Sequence, residues 1–406
     1  MIDFRGKRFL ITQPVIHELN GSTVVTIELA DYLRGHGASV IVYTCYKNDP
    51  VARLFNERGI KVVCADEEPK LKLEDFDYVW VHSQVLPISM IQELGGTLPK
   101  KLPKFLFYHM SQFEDEIPDE MPWIYDLEHR LSSYSLFVSE ETMQAQQKYF
   151  AAETKRGVLR NFASEAFANM KYRPAQILKN ILIVSNHPPD ELLELREIMP
   201  RQEGVKVMLS GESKSDIYGL ITPEIIEQYD VVITIGKTVQ YCLASGVPVF
   251  VYDRFGGKGY LNAKNYEGAR KVNFSGRDGT KKTAQVLMRD MMHRYGETVS
   301  YQAKNRDNFK KEFSIGYVLP RVVNEAEDRK IIKLDKRYVA AVIAAQNLVR
   351  WRFELGGWAK SEARTVKNLL SEIAAMRNSM SFRIGMTMTW PLRKLRQVFD
   401  IKGKNE

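Results

Sequence analysis

The chain carries only three cysteines in 406 residues, and Cys45, Cys64 and Cys242 each lie inside an apolar run. An odd number without ligand spacing argues against a disulfide framework or a zinc site, and buried free thiols in a reducing compartment are expected. No window reaches roughly 18 uninterrupted apolar residues, so no membrane-spanning helix is expected. The opening MIDFRGKRFLITQP has no apolar stretch long enough for a signal peptide, which points to a cytoplasmic location. The GxxxxGK[ST] spacing is absent, so an ATPase reading fails, and GxGxxG is missing after the first strand, which weighs against a dinucleotide dehydrogenase. No short-period repeat is present.

What the sequence does hold suits ordinary buried cores: 44% of residues are hydrophobic and 11% aromatic. A length of 406 residues points to two domains plus an extension. The net charge of +8 is unevenly spread. From Arg377 to Glu406 there are seven Arg and Lys against two acids, a local +5. That local excess suits an anionic membrane surface or another polyanion, and a nucleic-acid partner is not expected.

Apolar runs alternate with helical patterns, which implies an α/β architecture with parallel sheets. Lys7–Ile16, Val40–Cys45, Lys61–Ala65, Tyr78–His82, Phe105–His109 and Ser135–Val138 read as strands. Helices are expected from Ser22 or Thr23 to Arg34 and at Val51–Arg58, Ile88–Leu94, Trp123–Ser132 and Glu141–Phe150. A polar stretch to Pro174 reads as a linker. The pattern then restarts with strands at Asn180–Val184, Val205–Leu209, Asp230–Ile235 and Val247–Asp253, and helices at Asp190–Ile198, Pro223–Gln228, Thr238–Ala244 and Lys281–Arg294. The expected domains are 1–165, 175–318 and a helical extension over 320–406. In that extension Gly356-Gly357 is expected to divide Lys336–Trp351 from Ala359–Met376. The tail ends in a short basic amphipathic helix whose Trp390, Arg393, Lys394 and Arg396 are candidate membrane contacts. A partner-docking or solvated helix is the other reading of that tail.

The stretch Ile233–Leu261 is the focus of the second half. Strand, Gly turn, short helix, Gly turn and strand lead into Asp253-Arg254-Phe255-Gly256-Gly257-Lys258-Gly259, at the carboxyl end of a buried strand, where open α/β sheets bind ligands. The glycines permit close backbone approach to a ligand, or simply a tight structural loop. Asn20 and Gly21 open the first helix and form a candidate anion site, although glycine at such turns often serves a steric end only. Ser210-Gly211-Glu212-Ser213 and Gly236-Lys237-Thr238 follow the same logic; Lys237 could equally be a solvated surface lysine. His17 follows the first strand and is a candidate general base, or else a turn histidine. His109 and His187 are similar cases. Glu114, Asp115 and Glu116 read as a solvated acidic loop.

Two segments carry a family resemblance. NGSTVVTIELADYLRGHGASVIVYT resembles the first loop and helix of family 4 glycosyltransferases, and YCLASGVPVFVYD resembles their second-domain stretch. ILIVSNHPPDEL and NFSGR add a likeness to a bacterial branch found with surface-polysaccharide biosynthesis. Together these cover roughly residues 7–315. The resemblance implies a GT-B fold, with two Rossmann-like domains facing a cleft and a C-terminal helical extension. It implies a nucleotide-diphosphate sugar as donor, no metal or other cofactor, and a lipid-linked or polysaccharide hydroxyl as acceptor. Carried over by position, Asn20 and Gly21 match the N-terminal phosphate loop, Ser210-Gly211 the Gly turn after a second-domain strand, and Gly236, Lys237 and Thr238 the turn facing the diphosphate. Asp253, Arg254, Gly256 and Gly257 would border the sugar. Retaining members carry two glutamates in this region, and their positions here fall at Ile233 and Tyr241. The reaction would then use another group, follow a different stereochemical course with a base such as His17, or be lost in this chain.

The expected activity is transfer of a hexose or deoxyhexose by a protein peripheral to the inner face of the plasma membrane, with oligomerisation possible through residues 320–380. A sugar-nucleotide epimerase on the same scaffold and a non-catalytic sugar-nucleotide or glycan-binding scaffold subunit are the alternatives.

Overall fold

The computed structural model describes residues 3–113, 120–211, 215–217 and 219–389. Residues Met1–Phe353 form one unit and Glu354–Glu406 a second. In chain order the first sheet's elements are β1 (Arg8–Ile16), α1 (Gly21–Gly35), β2 (Ser39–Lys47), α2 (Val51–Glu57), β3 (Lys61–Cys64), β4 (Tyr78–His82), α3 (Ile88–Leu94), β5 (Lys104–His109), α4 (Tyr125–Leu131), β6 (Ser132–Phe137), α5 (Glu140–Ala145) and β7 (Arg156–Val158). The short α6 (Glu165–Ala168) precedes β8 (Asn180–Val184), α7 (Asp190–Gln202), β9 (Lys206–Ser210), α8 (Pro223–Ile226), β10 (Val231–Thr234), α9 (Lys237–Ser245), β11 (Val249–Asp253), β12 (Gly256–Tyr260) and α10 (Tyr266–Lys271). Four helices follow: α11 (Ala284–Phe313), α12 (Ile315–Glu325), α13 (Lys336–Asn378) and α14 (Met380–Met388).

Both sheets contain the strands that the apolar runs predict, and each gains an edge strand, β7 and β12, that they do not. The first has strand order β3-β2-β1-β4-β5-β6-β7 and is parallel throughout. Side chains alternate across it with the period of two that a strand imposes. Phe9, Ile11, Trp80, Leu106 and Tyr108 enter the core beneath α1 and α2, while Leu10, Val79, Val81, Phe105 and Phe107 enter the core beneath α3 and α4. Burial on both faces explains why these strands read as unbroken apolar runs. The second sheet, in order β12-β11-β10-β8-β9, is parallel except for the edge strand β12.

The structure revises three expectations. The segment expected to begin an extension at residue 320 is part of the first sheet's two cores. Val322, Val323 and Ala326 join one face, after Ile315, Val318 and Leu319 of the same helical region, and Ile331, Leu334, Val339 and Val342 join the other. Gly356-Gly357 does not break the helix, since α13 is continuous from Lys336 to Asn378. Each glycine costs only about 1 kcal/mol in a helix interior, and long helical flanks propagate through it. The Gly-rich stretch after Asp253 is not an open loop. Arg254 and Phe255 form the turn of a hairpin, and Gly256–Tyr260 is strand β12.

The hairpin glycines are required by backbone packing. A Cβ on Gly257 would lie 2.0 Å from the Val251 carbonyl oxygen, and one on Gly256 would lie 2.5 Å from the Thr280 carbonyl carbon. Gly257→Ala is therefore expected to lower unfolding free energy by about 1–3 kcal/mol in urea titrations.

Candidate functional site between the two sheets

In an open parallel sheet, a crevice forms at the carboxyl ends of adjacent strands whose connections leave in opposite directions. Here those pairs are β1/β4 in the first sheet and β8/β10 in the second. The first crevice is bordered by His17 and by His82-Ser83-Gln84, where Ser83 and Gln84 adopt φ of 47° and 55°. The second is bordered by Ser185 after β8 and Gly236 after β10.

One contact joins the elements that rise from these crevices. Lys237 opens α9, and its Nζ donates to Glu28 Oε2 of α1 at 2.6 Å and to the Phe162 carbonyl at 2.7 Å. The Tyr241 hydroxyl, one turn along α9, donates to the other Glu28 oxygen at 2.5 Å. Phe167 stacks on the Tyr241 ring with centroids 4.1 Å apart. The Lys237 ammonium also lies 5.0 Å from the centroids of the Phe162 and Tyr241 rings. Burial pushes the Glu28 carboxyl up and the Lys237 amine down from their usual values, and their mutual attraction opposes both shifts. The middle of α1 and the first turn of α9 are thereby held together.

Lys237 is thus a buried partner of Glu28, neither the solvated lysine nor the free diphosphate-binding cation considered from the sequence. Gly236 keeps open space. Its φ of 60° and ψ of −132° suit glycine, and a Cβ there would meet nothing within 4 Å. No side chain caps α9; the Gly236 and Val239 amides donate to the Phe274 and Gly236 carbonyls, which leaves Lys237 and the half-buried Thr238 to present theirs at the positive dipole end.

The first turn of α1 differs. Asn20, not Ser22 or Thr23, is the N-cap. Its Oδ1 accepts from the Thr23 amide at 3.0 Å and from the Ser22 hydroxyl at 2.9 Å. Gln13 donates to Ser22 at 3.1 Å and accepts from Thr26 at 3.0 Å. Asn20 is thereby committed to the helix itself, and Gly21 is exposed beside it.

His17 is buried, and neither ring nitrogen makes a hydrogen bond. A Glu18 carboxylate oxygen stands 3.4 Å from Nε2, close enough for an ion pair. Gly211 serves close packing after β9, because a Cβ there would lie 2.0 Å from the Ser185 carbonyl oxygen. Ser210 is buried at the end of β9. Asp253 is a buried carboxylate: its Oδ1 accepts from Ser185 Oγ at 3.0 Å and from the Arg254 amide at 2.8 Å. Burial raises its pKa against those hydrogen bonds. The Arg254 guanidinium stacks 4.7 Å above Phe255 on the hairpin turn. The pair Gly256 and Gly257 is buried against backbone, as described above, and does not line an opening. Glu212, Ser213, Glu114, Asp115, Glu116, Trp390, Arg393, Lys394 and Arg396 lie outside the described residues.

Some residues of this region carry little sequence signal, while His109 and Arg277, the last residue of NFSGR, were marked by the sequence without their partners. Glu28 is an ordinary helix glutamate by pattern. Arg277, after α10, pairs with Glu141 of α5 across the cleft, with Nε 3.3 Å from Oε1, and lies 5.1 Å from the Phe113 ring. His109, Glu128 and Ser135 form a buried cluster behind β5, in which Glu128 Oε1 accepts from His109 Nε2 at 2.9 Å and from Ser135 Oγ at 2.5 Å. A cavity of 380 Å³ runs along α1 from Val24 to His36. Glu28 and Tyr241 are among its lining residues, whereas His17, Ser185 and Gly236 of the strand-end crevices are not.

No family model and no curated protein matches the chain. Solved structures do. A glycosyltransferase from Rickettsia africae is 13% identical over 79% of this chain and 97% of its own, with a TM-score of 0.51. Anabaena Alr3699/HepE, solved in complex with UDP, is 11% identical over 78% of this chain and 98% of its own, with a TM-score of 0.50. The fold is GT-B. In this GT-B chain, α1 and α9 are the helices that face each other across the cleft, and the Glu28–Lys237–Tyr241 contact is the buried polar link between them.

Removing one partner of that link leaves an uncompensated buried charge. Lys237→Met is expected to cost about 3–5 kcal/mol of unfolding free energy, and the double variant Glu28→Gln/Lys237→Met to recover a large part of it. The buried His82 ring, pushed down to about 3 by desolvation, gives a second test. Its folded value lies below its unfolded value of 6.5. The unfolded chain therefore binds the extra proton, and stability is lost as pH falls through that window. The slope is roughly 1 kcal/mol per pH unit, and His82→Gln should flatten it in denaturant titrations between pH 6.5 and pH 4.

Proposed function

We propose that this protein transfers a sugar from a nucleotide-diphosphate sugar to a hydroxyl of a lipid-linked or cell-surface glycan. The observation that carries the reading is the uncapped N-terminus of α9 at Gly236, open to the β8/β10 crevice and fixed opposite α1. Backbone amides and a positive helix end at the carboxyl edge of a parallel sheet suit a diphosphate. Gly236 and Thr238 are assigned to it, with the exposed Gly21 on the opposite side. Ser210 and Gly211 border the nucleotide side, and Asp253 and Arg254 the sugar side. Ile233 is buried in β10 and Tyr241 is bonded to Glu28, so neither supplies a retaining carboxylate. His17, whose ring nitrogens are free of hydrogen bonds at the β1/β4 crevice, is assigned as the base that takes the acceptor proton.

The UDP bound to the Anabaena neighbour makes UDP-sugars the first donors to try, and the resemblance to family 4 enzymes of surface-polysaccharide synthesis makes a lipid-linked acceptor the first partner. The basic tail, with Trp390, Arg393, Lys394 and Arg396, would keep the protein at an anionic membrane surface, since no helix among the described residues is long and apolar enough to cross one.

A thermal-shift screen of UDP-, GDP- and dTDP-sugars should show one donor class raising Tm by several degrees, equivalent to about 2.7 kcal/mol at a hundredfold excess over Kd. Gly236→Val should abolish that shift. With acceptor supplied, His17→Asn should lower nucleotide release at least 100-fold while the donor shift persists. Turnover should survive EDTA. The absence of any binding and any release across the screen would overturn the reading. The replacement of a carboxylate by Tyr241 favours a second reading, a non-catalytic sugar-nucleotide-binding subunit, which binding without turnover would select.

A further inference from the structure

The second half of α13 carries an apolar stripe that stands exposed among the described residues. Leu355, Trp358, Val366, Leu369, Ile373 and Met376 share one face, and their exposure runs from 42% at Ile373 to 59% at Trp358. At 3.6 residues per turn the stripe is about 80° wide and runs roughly 33 Å. The spacing is three and four residues in alternation, with Glu362 on the line and one four-residue insertion after it. That is the seam of a two-stranded coiled coil with a stutter, narrower than the apolar face of a core-packed helix.

We propose that this stripe pairs in parallel with the same stripe of a second copy of the chain. Its flanks name the partner and the direction. Val366 and Ile373 take one seam position and Leu369 and Met376 the other. Glu372 then precedes a seam residue on one flank, and Arg377 follows one on the opposite flank. In a parallel pair, Glu372 of one helix meets Arg377 of the other, twice by symmetry. Antiparallel pairing sets like flank against like, acid on acid. A lipid surface fits less well. Interfacial helices carry cations along the polar border of a broad apolar face, whereas here one border is acidic and Lys360 and Lys367 point to the far side. Parallel pairing also sets the two basic C-terminal segments at the same end.

The test uses the full-length protein. Light scattering should give twice the chain mass at micromolar concentrations, and Leu369→Asp/Ile373→Asp should give the monomer. Glu372→Arg and Arg377→Glu should each weaken dimerisation at least fivefold, and the double swap should restore it. The three native cysteines are buried, so an introduced thiol is the exposed one. Ile373→Cys should cross-link to near completion under mild oxidation, and Lys360→Cys should not. A wild-type monomer, a dimer that survives the double aspartate change, or equal cross-linking at both positions would overturn the proposal. Co-sedimentation of a monomer with phosphatidylserine vesicles, lost in the double aspartate variant, would assign the stripe to lipid instead.

Discussion

A carboxylate, an ammonium and a phenol buried together decide how the two sheets of this protein relate. Glu28 alone on α1 would be a costly buried anion, and Lys237 alone on α9 a costly buried cation. Paired, and completed by Tyr241 and the Phe162 carbonyl, they are tolerated only in one arrangement of the two helices. Apolar packing would hold the halves together over a range of offsets, but a hydrogen-bonded ion pair fixes one. Val24 of α1 packs against the second sheet's core beside the same contact. The position of the α9 N-terminus beside the crevice follows from this constraint.

The same contact changes how charge is available in the cleft. An unpaired lysine at the head of α9 would meet phosphate oxygens directly. Here that charge is taken by Glu28, and the N-terminus of α9 carries no side-chain cap. Open space at Gly236 and dense packing at Gly211, Gly256 and Gly257 show that one residue type serves two opposite ends in a single domain. At Gly236 the missing side chain leaves room. At the other three it lets one backbone lie against another.

The strands were legible because each is buried on two faces and reads as an apolar run. Tyr78–His82 and Asn180–Val184 match their expected bounds to the residue. The two-sheet layout was legible for the same reason. The cleft chemistry was not. Glu28 and Lys237 are 209 positions apart, and nothing local marks a helix glutamate as the partner of a distant lysine. The hairpin after Asp253 was hidden because a run of glycines suits a ligand loop and an edge strand equally. The end of the first domain was hidden because α12 and the start of α13 carry ordinary amphipathic patterns. Only the tertiary structure shows that their apolar faces return to strands of the first sheet, on the far side of the whole second sheet in sequence.

That return has a bearing on synthesis. The first sheet is the earliest part of the chain to be made, yet both of its covers include residues between Ile315 and Phe353. Chains commonly fold from the N-terminus as domains are completed during translation. Here the leading domain leaves the ribosome with apolar surface on each face still uncovered. It stays so while the whole second sheet is made. The second sheet closes over a contiguous stretch of sequence and needs no such wait. The order of completion is therefore reversed with respect to the order of synthesis, and the last segment of the first unit sets the moment at which the cleft can form.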